Sequence, residues 1–246
     1  MFDTYTNTWK AYYTGFKCAV YGIAVDGSDR IWMGCANAGW ASNHGAQGSG
    51  FAMFDPATNR VTRFYVPSSF DARSEQLPNP KEVAAASVRV ATDTLNCTNC
   101  AERFHVTAVA VEPATGDIWG SLYNKGYIDR LAYDEANPEM REWTFVPALR
   151  KADNGRIGSG FSDSMRGIGF DPTGQAWYLG SGTDFLFEID PATNDRIAQY
   201  DVGVGSHYTY SDFTGSSLFN FTAPRASWTY IFDTQFQNAS ICSIEW

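Results

Sequence analysis

The sequence predicts an all-β repeat protein, and three observations carry that reading. A short strand signature recurs and ends each time on tryptophan: Tyr21-Gly22-Ile23-Ala24-Val25-Asp26 leading to Ile31-Trp32, Thr107-Ala108-Val109-Ala110-Val111-Glu112 leading to Ile118-Trp119, and Arg166-Gly167-Ile168-Gly169-Phe170-Asp171 leading to Ala176-Trp177. A second signature trails each of these, as in Phe54-Asp55-Pro56-Ala57-Thr58-Asn59 followed by Arg60-Val61-Thr62-Arg63-Phe64. The residues after each turn then alternate with period two, as strands packed on one face do. Two consecutive hairpins per repeat make four antiparallel strands, which is one blade of a β-propeller; a blade cannot bury its faces alone and packs on the next.

Taken in order, complete blades are expected at about 18–66, 104–147 and 164–202. The opening segment, 1–13, resembles only the second half of a blade, and 206–222 only the first half, with Asp212 standing where Asp171 stands. Two arrangements fit: the half-blades join to close a four-bladed ring, or the chain is part of a larger ring. The propeller thus occupies 1–225, and 226–246 reads as extra strands that open a further β module. The turns between the third and fourth strands have a local cause. Asp55 and Asp190 hydrogen-bond their own turns, Pro56 and Pro191 preset the first dihedral, and Asn59 and Asn194 tolerate a left-handed backbone. The stretch 67–105 is the major insertion, expected to emerge on one face and shape a binding site.

Composition bounds the function. The chain has 246 residues, 44% of them hydrophobic and 15% aromatic, enough for a packed core and rich in contact-forming side chains. Its formal net charge of −9 opposes nucleic acid and anionic lipid surfaces. No apolar run reaches the roughly 18 residues needed to span a bilayer. The five cysteines suggest an oxidising compartment, outside the cell or in the cell envelope. Cys18 and Cys35 flank the first hairpin: a two-residue Asp26-Gly27 turn sets them directly opposite, a longer turn makes them diagonal neighbours. Cys97 and Cys100 suit a second disulfide better than zinc, which needs four ligands. No nucleophile elbow, zinc-protease helix motif or phosphate-binding glycine loop is present, and Asp26-Gly27-Ser28-Asp29 reads as a turn without a metal.

The pairing of Gly-Ile-Ala-Val…Ile-Trp with Phe-Asp-Pro-Ala-Thr-Asn-Arg-Val-Thr-Arg-Phe resembles the repeat of the virginiamycin B lyase (streptogramin lyase) family across most of residues 18–222. The resemblance implies a propeller fold and, for an active lyase, His and Glu residues gathered with Mg2+ at one end of the central channel. Tyr21, Thr107 and Arg166 stand where that family often has histidine before the inner-strand Gly-Ile; His207 is the histidine at the equivalent place in the last half-blade. Met33, Gly120 and Tyr178 follow the tryptophans where the lyases carry glutamate. Repeat-equivalent positions converge at the channel mouth, so Tyr21, Thr107, Arg166 and His207 form the expected ligand-binding set, with His207 the best candidate for any acid–base role. The expectation is a non-enzymatic binding propeller without cofactor, taking a small polar molecule, a glycan or a protein partner. The alternative is a lyase-like enzyme using His207 and a divalent metal.

Overall fold

The computed structural model describes residues 2–3, 6–12, 19–36, 50–65, 88–91, 106–122, 127–133, 142–147, 164–181, 185–203, 207 and 211–212. Among them every regular element is a strand, and three antiparallel blades follow one another along the chain. The amino-terminal hairpin β1 (Phe2–Asp3) and β2 (Thr8–Trp9) is a two-stranded sheet by itself, turned at Asn7 with a φ of 53°. The first blade is β3 (Ala19–Val25), β4 (Ile31–Ala36), β5 (Gly50–Asp55) and β6 (Arg60–Tyr65), paired in that order.

The second blade carries a fifth strand. After β7 (Val88–Ala91) come β8 (Val106–Val111), β9 (Ile118–Leu122), β10 (Tyr127–Ala132) and β11 (Glu142–Pro147), and the sheet order is β7-β11-β10-β9-β8. The described part of the long insertion is therefore not a face-mounted loop. It joins the outer edge of the blade, with Trp143 opposite Val90 and Phe145 opposite Val88. An outermost strand presents a row of open N–H and C=O groups, and an added strand satisfies them.

The third blade is β12 (Ser164–Phe170), β13 (Ala176–Ser181), β14 (Phe185–Asp190) and β15 (Asp195–Asp201). Its inner edge receives β16 (Ser211–Asp212), which runs parallel to β12 with Gly167 opposite Ser211 and Ile168 opposite Asp212. The inner strand β8 packs against both β3 and β12, and β16 touches all three. Four inner strands thus share one axis, the arrangement that defines a propeller.

Two aromatic layers hold the blades together. Between the first and second lie Trp32, Phe51, Phe64, Leu131, Trp143 and Phe145, with Phe51 and Trp143 stacked at 5.4 Å. Between the second and third lie Trp119, Ile128, Phe170, Tyr178 and Phe187, with Trp119 edge-on to Phe170 at 5.6 Å. Close approach at the axis demands small residues: a Cβ on Gly22 would sit 2.8 Å from the Ala108 Cα.

The described register also settles the first-hairpin turn. Val25 pairs with Ile31, Asp26 N donates to Arg30 O, and Val20 faces Cys35. The turn is longer than the two-residue form, and the residue opposite Cys35 is Val20. Cys35 is buried and disulfide-bonded. Its partner lies outside the described residues, as do Cys18, Cys97, Cys100 and the segment 226–246.

Candidate functional site

Each inner strand carries a β-bulge at the same repeat position. In β3, Tyr21 and Gly22 together face Gly34; in β8, Thr107 and Ala108 face Ser121; in β12, Arg166 is the extra residue between the Met165 and Gly167 pairs. Three of the four residues expected at the channel mouth therefore sit on equivalent bulges, which twist a strand and re-aim its side chains. Their environments differ. Tyr21 is half-buried. Thr107 is only 2% exposed, and its hydroxyl meets the Ser121 hydroxyl at 2.7 Å, while Ser121 also accepts the Ala108 N–H at 2.8 Å. That pair satisfies the donor freed by the bulge, which is a structural role for Thr107. Arg166 is described by its backbone place on β12.

His207 lies in the connection after β15, four residues before β16 begins, with Nε2 3.0 Å from the Gly203 carbonyl oxygen. Among the described residues no three His, Cys, Asp or Glu side chains converge as metal ligands. The donor set for the magnesium ion that the lyase resemblance implies is not assembled by these residues.

The opposite ends of the inner strands, where β3 turns into β4 and its equivalents do the same, are built from a motif the tryptophan pattern only half revealed. The carboxylate closing each inner strand accepts a 2.8 Å hydrogen bond from the indole of that blade's tryptophan: Trp32 to Asp26, Trp119 to Glu112 and Trp177 to Asp171. In the first and third blades the same carboxylate also caps its turn, Asp26 accepting from Ser28 N and Arg30 N, Asp171 from Thr173 N and Gln175 N. The signal was available as an acid six or seven residues before each tryptophan.

On this turn face arginines tie neighbouring blades. Arg30 pairs with Asp26 at 2.7 Å and lies over the Tyr133 ring of the second blade at 4.9 Å. Arg130 of β10 pairs with Glu112 at 2.9 Å and Asp117 at 2.7 Å, lies 5.0 Å over the Trp119 ring, and donates to the Pro191 carbonyl and to Asn194 Oδ1 on the third blade. Burial pushes the Glu112 carboxyl upward, and the Arg130 charge partly offsets this.

Beside these ties run two clefts. One, of about 460 Å³, lies between the first and second blades and is bounded by Asp26, Arg30, Asp117 and Tyr133. The other, of about 550 Å³, lies between the second and third blades and is bounded by Asp117, Arg130, Glu142, Thr144, Gln175 and Asp190. Thr115, Asp117 and Ala132 line both, so the two clefts flank the same turn of the second blade. Together their walls hold the carboxylates of Asp26, Glu112, Asp117, Glu142 and Asp190 and the guanidinium groups of Arg30 and Arg130. Gln175 Oε1 is buried there without a hydrogen-bond partner among the described residues.

Fold and site together define a β-propeller with two adjoining clefts on its turn face, lined by several carboxylates. No family model matches the chain, and no curated protein matches it. Among solved structures, it is similar to a catalytically inactive variant of virginiamycin B lyase from Staphylococcus aureus with quinupristin, at 14% identity and a TM-score of 0.45, over 82% of this chain and 47% of that one. It is also similar to the extracellular domain of a one-component system from B. thetaiotaomicron (11%, TM-score 0.42, 85% of this chain and 20% of that one) and to the WD40 repeats of RRP9 (12%, 0.40, 75% and 39%). The chain spans about half the length of the lyase and less of the other two.

Among the described residues no helix is long and apolar enough to cross a membrane.

Proposed function

We propose that this propeller is a non-enzymatic binding scaffold of the cell envelope or extracellular space, and that it holds an extended polar segment of a partner along its two turn-face clefts. The observation that carries the reading is that the clefts adjoin at Thr115, Asp117 and Ala132, which line both. Two adjoining clefts at successive blade junctions suit a chain-like ligand better than a compact one, which single pockets of a few hundred Å³ enclose. Five carboxylates against two guanidinium groups favour positive charge on that segment, so a lysine- or arginine-bearing peptide is the best-matched partner. The disulfide-bonded Cys35 supports an oxidising compartment.

The test is a titration of basic, acidic and neutral decapeptides and of oligosaccharides, followed by intrinsic tryptophan fluorescence at two salt concentrations. Basic peptides should bind, binding should weaken as salt rises, and Glu142→Lys should reduce affinity several-fold. Silence across all probes would overturn the binding reading. Opening of the quinupristin ring with Mg2+, lost in His207→Ala, would replace it with the lyase reading.

A further inference from the structure

Asp129 sits on β10 at the junction of all three blades. Its side chain is fully buried, and among the described residues neither carboxylate oxygen meets a side-chain donor; its own backbone is the one group that favours the ionised form. The described elements around it present apolar or neutral groups. Gly120 of β9 and Phe145 of β11 are its direct cross-strand neighbours. A Cβ added to Gly120 would lie 2.6 Å from Asp129 Oδ1 and 2.7 Å from the Phe51 ring, which places the carboxyl against the first blade's β5. Val109 of β8 completes the cross-strand row. The titratable group facing it is Tyr178 of β13, whose hydroxyl donates to the Gly120 carbonyl at 2.9 Å. Burial holds that hydroxyl protonated, and the Asp129 charge adds to the effect. The neighbouring Arg130 spends its charge on Glu112 and Asp117. Trp143, in the same interblade layer, has its indole N–H buried without a partner among the described residues.

Among the described residues a carboxylate here has no cation to balance it, and its own backbone alone does not offset the burial. A neutral carboxyl costs far less, since it carries only dipoles into the layer.

We propose that Asp129 is a proton-linked latch between the first and second blades: protonated, it lets Phe51, Trp143 and Phe145 close over it, and release of its proton to solvent loosens that packing. The inference rests on the fold alone and is independent of what the clefts bind. Desolvation raises the Asp129 carboxyl to about 7, so the latch works near neutral pH. Because the folded state keeps a proton that the unfolded chain has released, stability falls as pH rises from the ordinary aspartate range toward 7, then levels off.

The experiment follows urea unfolding from about pH 5 to 8.5 in the wild type and in Asp129→Asn, which keeps shape and removes ionisation. In the wild type the unfolding constant should rise by up to about tenfold per pH unit through the lower part of that range, with a loss of tryptophan-143 packing seen by fluorescence. In Asp129→Asn most of that slope should vanish. Parallel profiles for the two proteins would overturn the proposal. A second measurement needs no variant: the Asp129 carboxyl carbon shift, followed by NMR against pH in the full chain. A midpoint above about 6 supports the latch, and one below about 5 overturns it.

Discussion

Glu112 follows the last residue of β8, Trp119 lies on the next strand β9, and the two meet through a 2.8 Å bond from the indole nitrogen to Oε2. The same bond joins Trp32 to Asp26 and Trp177 to Asp171. Each blade thus nails its widest aromatic side chain to the end of its innermost strand. This fixes how far the tryptophan reaches into the interblade layer, and so sets the spacing of the blades.

Removing the acid should cost more than removing the indole nitrogen. Asp171 accepts from Thr173, Gln175 and Trp177 at once. Asp171→Ala should destabilise the fold by about 2–3 kcal/mol, and Trp177→Phe by about 1 kcal/mol beyond its packing loss. Urea denaturation of both variants checks the ranking.

Acid should act through the same group. Burial alone would raise the Asp171 carboxyl, but the bonds from Thr173, Trp177 and Gln175 together hold it below its ordinary value. A depressed folded value means stability that is present above the ordinary aspartate range and lost as pH falls below about 4. The Asp171→Asn variant should lose part of that acid limb, readable as a shallower stability slope below about pH 4. Glu112 shifts the other way, raised by burial, so its contribution joins that of Asp129 on the alkaline side. Wild-type stability should therefore peak on the acid side of neutrality.

Arg130 should prove a junction residue. Arg130→Met leaves the buried Glu112 without its guanidinium and frees the Pro191 and Asn194 contacts, at a cost of about 3–5 kcal/mol. Adding Glu112→Gln should recover part of the loss, because the uncompensated charge is then gone. A double-mutant cycle measures the coupling. Arg130→Lys should recover little, since an ammonium cannot reach two carboxylates and the Pro191 carbonyl in one plane.

Gly22→Val should be poorly tolerated. Its side chain would enter the backbone of Ala108 rather than a movable side chain. Overpacking of this kind costs about 1–3 kcal/mol or more, and thermal melting together with soluble yield will report it. Substitution of Gly174 offers the contrast: a Cβ there meets nothing within 4 Å, so only its φ of 89° resists alanine.

Much of the blade was legible because its determinants are local. Asp55 does hold its own turn, through Ala57 N and the Thr58 hydroxyl, and Asn59 and Asn194 adopt φ of 55° and 58°. Period-two alternation located the strands. The acid–tryptophan bonds are equally local, yet the tryptophans stand out by size, while Asp26 reads as a turn residue and Glu112 and Asp171 as the ends of strands. The clefts were less legible. Tyr21, Thr107 and Arg166 align by repeat, and they do share a bulge, but alignment cannot tell an open position from a buried one. Whether a side chain is covered depends on the neighbouring blade, as Thr107 shows.

The sequence by itself determined that four-stranded blades recur and where each turns, because hairpins close over a few residues and their turn chemistry is written beside them. The tertiary structure decided the rest. It set β7 on the outer edge of the second blade, brought the arginine ties across blade junctions, set two clefts beside one turn and surrounded Asp129 with Phe51, Phe145 and Tyr178. Each of these depends on which surfaces meet when blades pack, and solvent exclusion between distant segments leaves no mark on any one stretch of chain.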